Sequence, residues 1–138
     1  MYRTVLVPLD GSPESETVLP HAEAIAQAFD AEVILLRVAF THDVEGVDPR
    51  TTGEDLAQQY LAQVQRLERE KNLRSRVLVR FGDPVEAIVS CANEEQADLI
   101  VLATHGRTGL QRLLEGNVAE AVRHKTPIPL LLTRTTDE

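Results

Sequence analysis

Three continuous apolar runs constrain the fold of this chain more than any other feature of its sequence. They are Thr4 to Leu9, Glu32 to Val38 and Leu99 to Ala103, and each is rich in Val, Leu or Ile. Such a strand presents apolar side chains on both faces, and both faces are covered in a parallel sheet. Arg76 to Arg80 and Pro129 to Thr133 are also strand-like. The first is half polar and the second begins with proline, which favours edge positions.

Helical patterns lie between the predicted strands. Ser12-Pro13 is typical of a helix start, and apolar residues follow it at helical spacing as far as Phe29. Further helices are predicted near residues 53–71, from the capping sequence Asp83-Pro84-Val85-Glu86, and from Asn117. The predicted inward faces are Val18, Ala22, Ile25, Ala26 and Phe29; Leu56, Tyr60, Val64 and Leu67; Ile88, Val89 and Ala92; and Val118, Ala121 and Val122.

The alternation of strand and helix predicts an α/β fold in which right-handed crossovers join parallel strands. With the two edge-like strands third and fifth in the chain, the five-stranded parallel sheet is doubly wound, in the order 3-2-1-4-5, with helices on both faces. The 138 residues fit a single domain, 1–138. Ligands of such sheets bind beyond the carboxyl ends of the strands where the order reverses. Here these ends are Pro8-Leu9-Asp10 and Ala103-Thr104-His105.

Composition and charge exclude several classes of protein. A net charge of −8 argues against binding to duplex nucleic acid, which depends on Lys and Arg neutralising phosphates. The apolar runs are far shorter than the roughly 20 residues that cross a bilayer, so no membrane insertion is expected. A lone cysteine and a start that runs directly into a strand lead us to expect a cytoplasmic protein.

The charge is unevenly distributed along the chain. Residues 1–100 carry 9 basic and 18 acidic residues, a net charge of −9, whereas residues 101–134 carry 5 and 2, a net charge of +3. The later part is therefore the part suited to an anion, although a surface accident would produce the same asymmetry.

The segment from Ala103 to Asn117 is the best candidate for a ligand site. Gly106 allows a close backbone approach to an anion, and Gly116-Asn117 opens a helix whose unpaired N–H groups favour negative charge. The alternative is purely structural, with Gly106 turning the chain and Asn117 capping the helix. The first helix begins instead with Glu14 and Glu16, which repel phosphate. We therefore expect the anion on the side of the fourth strand.

Three separated motifs resemble the universal stress protein family. They are Val5-Leu6-Val7-Pro8-Leu9-Asp10-Gly11-Ser12, the stretch from Ala97 to Gly109, and the ending from Gly116 through Leu132. ATP-binding members of that family have the pattern G-x-x-G, nine residues, then G-S or G-T. This chain has Ala103-x-x-Gly106, nine residues, then Gly116-Asn117, so it departs at two positions.

The resemblance implies an adenine nucleotide site holding ATP, AMP or ADP. Its adenine contacts are implied at Pro8, Leu9 and Val38, and its ribose or metal-directed carboxylate at Asp10. Mg²⁺ or Mn²⁺ is implied to enter with the nucleotide, so that Asp10 acts on the metal only indirectly. The implied phosphate contacts are Ala103, Thr104, His105, Gly106, Arg107, Thr108, Gly109, Gly116, Asn117, Val118 and Ala119.

Three functions stay open on the sequence. The leading hypothesis is a stress-response module that senses or sequesters ATP and acts through association. The others are a slow ATP hydrolase that uses Asp10 with Mg²⁺ and His105, and an interaction module without a ligand. The uncharged edge strand Pro129 to Thr133 predicts a homodimer in which two copies of this strand pair, as the family resemblance also implies. The alternative is a monomer in which the helix from Asn117 and the tail Arg134 to Glu138 shield this edge.

Overall fold

The computed structural model of the protein describes residues 1–13, 15–39, 49–104 and 116–134, and of residues 39, 49–54, 104, 116 and 117 it describes the backbone alone. The strands are β1 (Thr4–Leu9), β2 (Glu32–Ala39), β3 (Ser75–Phe81), β4 (Leu99–Thr104) and β5 (Leu130–Arg134). The helices are a 3₁₀ helix (Ser15–Val18), α1 (Leu19–Phe29), α2 (Pro49–Glu70), α3 (Pro84–Glu94) and α4 (Gly116–Lys125). All strand pairs are parallel, in the order β3-β2-β1-β4-β5, which confirms the predicted fold class and strand order.

Each face of the sheet has its own apolar layer. Val5, Val7 and Leu9 of β1 pack with α1 and α2, whereas Leu6 packs on the opposite face with α3 and α4. The alternation of side chains along a strand produces this division. The apolar runs therefore form strands that are buried on both sides. No helix in the described ranges has the length and apolar character needed to span a membrane.

The two edges of the sheet differ in charge. On β3, Arg76 Nε lies 3.1 Å from Glu32 Oε1, and Arg76 Nη1 lies 2.9 Å from Glu95 Oε1. Charged side chains of this kind discourage a sheet edge from pairing with another chain. On β5, Leu132 is 38% exposed, and the strand carries no charged residue before Arg134.

The first helix begins later than predicted. We expected Ser12 to cap a helix that starts at Pro13, but a 3₁₀ helix comes first and α1 begins at Leu19. The Ser12 side chain bonds to Asp10 and Ser15 instead. In contrast, the predicted cap at Asp83 is confirmed, since Glu86 N donates to Asp83 Oδ2 at 3.0 Å.

The predicted inward face of the second helix was partly wrong. Leu56 and Leu67 are 55% and 53% exposed, although Val64 is buried as expected. The described buried face consists of Ala57, Leu61, Val64 and Glu68. Each end of the buried face is shifted by one residue from the prediction. Ala57 is buried in place of Leu56, and Glu68 is buried in place of Leu67. Phe29, also predicted inward, is 44% exposed and contacts the ring of Tyr2 edge-on.

Ile34→Ala should strongly destabilise the fold, because Ile34 is fully buried in the layer beneath α3 and α4. Loss of three carbon atoms from such a position typically costs about 2–5 kcal/mol. Urea denaturation would measure the change in the free energy of unfolding. The matched control is Leu67→Ala on the exposed face of α2, for which we expect a change of about 0.5 kcal/mol or less. Equal effects of the two substitutions would contradict the two-layer description.

Candidate functional site

Asp10 begins a tight turn directly after β1. Ser12 N and Ser12 Oγ both donate to Asp10 Oδ1, at 2.8 and 2.5 Å. Gly11 has φ of +90°, a backbone conformation that favours glycine. The Asp10-Gly11-Ser12 sequence therefore forms a turn that holds the Asp10 carboxylate in one orientation.

Ser15 fixes this turn from the far side. Its N–H donates to Ser12 Oγ at 3.1 Å, and its hydroxyl donates to the Ser12 carbonyl oxygen at 3.0 Å. The Asp10 N–H in turn donates to Ser15 Oγ at 3.3 Å. Both serine side chains are buried. The turn is thus a connected polar network held by the packing of the 3₁₀ helix.

The second carboxylate oxygen of Asp10 has no partner among the described residues. Both serine bonds reach Oδ1, while Oδ2 is buried and receives no hydrogen bond from the described part of the chain. A buried acceptor without a donor typically costs about 1–3 kcal/mol. The arrangement therefore fits a ligand hydroxyl or a hydrated cation that would satisfy Oδ2. It is the orphaned polar atom expected of a binding position.

Polar groups from β2, the 3₁₀ helix and α2 surround the turn. Tyr60 Oη donates to Glu16 Oε2 at 2.6 Å and so joins α2 to the 3₁₀ helix. Burial, the hydrogen bond to Glu16 and the charges of Glu16 and Asp10 raise the pKa of Tyr60, against a smaller opposite effect of Arg37. Tyr60 therefore keeps its proton and donates at neutral pH.

Arg37 brings a positive charge to the same end of the sheet. Arg37 Nη1 donates to the Val38 carbonyl oxygen at 2.6 Å, and Leu9 is its register partner in β1. A Cβ atom on Gly11 would lie 4.0 Å from Arg37 Nε. The guanidinium group is therefore next to the turn that carries Asp10.

The predicted adenine contacts are divided between the two faces of the sheet. Leu9 is packed into the layer beneath α1 and α2, and Val38 into the layer beneath α3 and α4. Pro8 is buried near the end of β1. Because these side chains are buried, a ligand beyond the strand ends would meet chiefly their backbone and the edges of their side chains.

The predicted phosphate segment is described only at its two ends. Ala103 is buried in β4, and Thr104 ends that strand. Gly116 and Asn117 are the first residues of α4, followed by the buried Val118 and Ala119. The predicted contacts His105, Gly106, Arg107, Thr108 and Gly109 lie outside the described residues.

The start of α4 is compatible with an anion. Its first turn contains no acidic residue, and its last turn carries Arg123, His124 and Lys125, whereas the 3₁₀ helix has Glu16 in its first turn. Helix N-termini attract negative charge. Among the described residues no cluster of three or more His, Cys, Asp or Glu side chains could hold a metal ion. A cation at Asp10 would therefore depend on ligand oxygens for its remaining contacts.

Sequence reasoning missed three residues of this network. Ser15 was not singled out, and Tyr60 was expected only on the inward face of the second helix, because their polar contacts depend on how the 3₁₀ helix and α2 pack. Arg37 offered a usable signal, since it is a charged residue near the carboxyl end of an otherwise apolar strand. Such a departure from an apolar pattern indicates a local polar partner.

Comparison with known proteins identifies the family. Residues 1–134 match the model of the Universal stress protein family. Universal stress protein MJ0531 of Methanocaldococcus jannaschii is 33% identical over 141 residues, which cover 97% of this chain and 83% of that protein. The solved structure of the hypothetical protein MJ0577 has a TM-score of 0.79 at 28% identity, over 100% of this chain and 99% of that one. That protein comes from the same organism.

A further solved structure is that of a universal stress protein in complex with cAMP. It has a TM-score of 0.69 and 27% identity, and the match covers 96% of each chain. The family match extends over all five strands and four α-helices described above. The chain belongs to the universal stress protein family.

Proposed function

We propose that this protein binds an adenine nucleotide beyond the carboxyl ends of β1 and β4 and acts as a stress-response module that senses or sequesters ATP. The orphaned Oδ2 of Asp10 is the observation that carries this proposal, because it is a buried acceptor for which the described ranges of the chain offer no donor. The family and the cAMP complex of a related protein support it. The position agrees with the binding of ligands at the switch point of doubly wound sheets.

Asp10 is proposed to accept a hydrogen bond from a ribose hydroxyl. Both serine bonds reach Oδ1 and Oδ2 has no donor in the described part of the chain, so a ligand hydroxyl would satisfy this oxygen. Pro8, Leu9 and Val38 are proposed to meet the adenine ring through their backbone and the edges of their side chains. Where Mg²⁺ or Mn²⁺ accompanies the phosphates, Asp10 acts on it indirectly, through the metal's bound water.

The phosphates are proposed to lie between the end of β4 and the start of α4. Gly116, Asn117, Val118 and Ala119 begin a helix with no acidic residue in its first turn, and its N–H groups suit an anion. Ala103 and the segment 104–109 complete this side in the proposal. The Asn117 amide takes the place of the serine or threonine of the family pattern.

We propose signalling through association in the cytoplasm rather than fast turnover. The described residues contain no cluster of three metal-binding side chains, so phosphoryl transfer would depend on a metal held mainly by the nucleotide. A single domain with a saturable nucleotide site would report ATP by changing its stability and its contacts.

ATP should stabilise the protein, and Asp10→Asn should weaken that effect. At about one hundred times its dissociation constant, a native-state ligand adds roughly 2.7 kcal/mol to the free energy of unfolding. Asn keeps an acceptor for Ser12 but replaces Oδ2 with an amide donor. We therefore expect at least a tenfold higher dissociation constant for Asp10→Asn in calorimetric titration of ATP and AMP, with Mg²⁺ and with a chelator.

The matched control is Asp30→Asn, which makes the same substitution at the end of α1, outside the proposed site. Wild-type affinity in Asp10→Asn would mean that Asp10 is a turn residue only. No binding of any adenine nucleotide at millimolar concentration would favour the ligand-free interaction module. Release of ADP by the wild-type protein, measured by chromatography, would favour the slow hydrolase.

We also propose a homodimer in which β5 strands of two copies pair across a two-fold axis. The opposite edge, β3, is guarded by ion pairs of Arg76, whereas β5 exposes Leu132 and has no charge before Arg134. An unguarded edge offers its backbone groups to another strand. An isologous contact would cover both edges at once.

Leu132→Lys should convert this dimer into a monomer. A lysine at the centre of the interface would be buried without a partner, whereas Leu131 is a poorer probe because it packs against this chain's own core. Light scattering at micromolar concentration measures the mass. Leu67→Lys, on the exposed face of α2, is the control and should leave the dimer intact. A wild-type protein that is monomeric under these conditions contradicts the proposal.

A further inference from the structure

Glu68 is a charged residue in an apolar environment. Its side chain is 1% exposed, and no other charged side chain in the described ranges is classed as buried. It occupies the last inward position of α2, beyond Val64. Neither carboxyl oxygen accepts a hydrogen bond from a donor group of the residues that the structure describes. An ionised carboxylate in such a place would be strongly destabilising.

The contacting group is a second carboxyl. The Glu23 side chain of α1 lies beside Glu68 and acts to raise its pKa. Two carboxyl groups that lie close together share a hydrogen bond only when one of them carries a proton. A proton on Glu68 would therefore supply the donor that this buried carboxyl group otherwise lacks.

Lys71 neutralises the other half of the pair. Lys71 Nζ donates to Glu23 Oε2 at 2.9 Å, and the Glu23 side chain is 12% exposed. The Glu68 carbonyl oxygen accepts from Lys71 N at 3.1 Å and Leu73 N at 3.0 Å, so the end of α2 has a defined backbone. The cluster of Glu23, Glu68 and Lys71 thus has one proton, one carboxylate and one ammonium group.

Other charged groups contribute little to this cluster. The charge of Glu70 raises the pKa of Lys71. The charged groups that affect the pKa of Glu68 are Glu23 and Lys71. The sheet presents apolar side chains to the layer that contains this contact: Val33, Leu35, Val77 and Val79. The protonation of Glu68 therefore depends on the α1–α2 contact.

The pKa values agree with this division of charge. Burial, together with the hydrogen bond to Glu23 and its charge, raises the pKa of Glu68 from 4.5 to about 8, against the charge of Lys71. Burial acts to raise the pKa of Glu23 as well, but its bonds with Glu68 and Lys71 leave it lowered overall. At neutral pH the proton accordingly belongs to Glu68.

We propose that the cluster of Glu23, Glu68 and Lys71 is a proton-dependent latch, in which one proton on Glu68 closes the contact between α1 and α2 and its loss releases the end of α2. Loss of the proton would leave two carboxylates in contact within the apolar layer, with a single ammonium group beside them. Lys71 is 48% exposed and compensates only part of that charge. The helices would then separate enough for water to enter.

The direction of the pH effect follows from the raised pKa. The folded protein binds this proton more tightly than the unfolded chain does, so the stabilisation is fully present below about pH 4.5 and is lost as the pH rises towards 8. The pH dependence due to Glu23 has the opposite sign. Because its pKa is lowered in the folded protein, the stability that Glu23 contributes is lost as the pH falls. The range between about pH 5 and 8 therefore reports on Glu68.

Glu68→Gln tests the latch, because its amide can donate to Glu23 at every pH. Between pH 5 and 8 we expect the unfolding equilibrium constant of the wild type, relative to that of Glu68→Gln, to rise by up to about tenfold per pH unit and then level off. Urea denaturation at several pH values measures this ratio. The matched control, Glu94→Gln, makes the same change on an exposed residue of α3, on the other face of the sheet, and should keep the wild-type pH dependence. A pH-independent ratio would overturn the proposal.

Two further measurements separate a latch from a merely stabilising contact. Hydrogen exchange, corrected for its intrinsic pH dependence, should show lost protection at the end of α2 between pH 6.5 and 8.5 in the wild type but not in Glu68→Gln. Infrared difference spectra of the wild type should show a protonated carboxylic acid band at pH 6 that disappears by pH 9. This second measurement needs no variant, and the absence of the band would overturn the proposal even if Glu68→Gln did not fold.

Discussion

Two-sided burial of the central strands is the constraint on which the rest of this structure depends. β1, β2 and β4 carry fully buried side chains on both of their faces, so helices have to cover both sides of the sheet. The chain covers one face with α1 and α2 and the other with α3 and α4. β1 and β4 are neighbours, but the helices that follow them lie on opposite faces. The segments that follow β1 and β4 therefore run to opposite faces of the sheet, and they diverge next to Asp10 at the end of β1.

The sheet was predictable from sequence because its signal is local. A run of apolar residues defines a strand without reference to any partner, and the polar composition of β3 was enough to assign it to an edge. The inward face of α2 was predicted less well. Leu67 was expected on the inward face, yet it is exposed and its neighbour Glu68 is buried. The partner that makes this burial tolerable, Glu23, is in another helix, and its position follows from the fold and not from the local pattern.

The candidate site was likewise predictable from the sequence only in part. Asp10 could be singled out because it follows a buried strand and precedes glycine. The contacts that orient it were less accessible, since Tyr60 reaches Glu16 across 44 positions of the chain. Ser12 illustrates a competition between two roles, because its hydroxyl could cap a helix or bind a carboxylate. Here the short bond to Asp10 Oδ1 determines its conformation, and the regular helix begins only after the 3₁₀ turn.

Polar contacts join α2 to the 3₁₀ helix at Glu16 and to α1 at Glu23. Tyr60, Val64 and Glu68 recur every four residues, so they share one face of the helix. Tyr60 binds Glu16 at the level of the Asp10 turn, and Glu68 contacts Glu23 further along. The apolar Val64 lies between them. A displacement of the end of α2 would therefore move the helix face that carries Tyr60, whose contact with Glu16 lies beside the Asp10 turn.

The distribution of charge also determines how a nucleotide would lie in the proposed site. Asp10 and Glu16 are acidic, and Arg37 is the cation identified next to their turn, so the β1 side is unfavourable for a polyphosphate. The start of α4 has no acidic residue in its first turn and offers unpaired N–H groups. Since a nucleotide has an uncharged base and sugar at one end and anions at the other, the lower electrostatic energy has the sugar at Asp10 and the phosphates at α4. The opposite orientation would bring like charges together and leave the helix N-terminus without an anion.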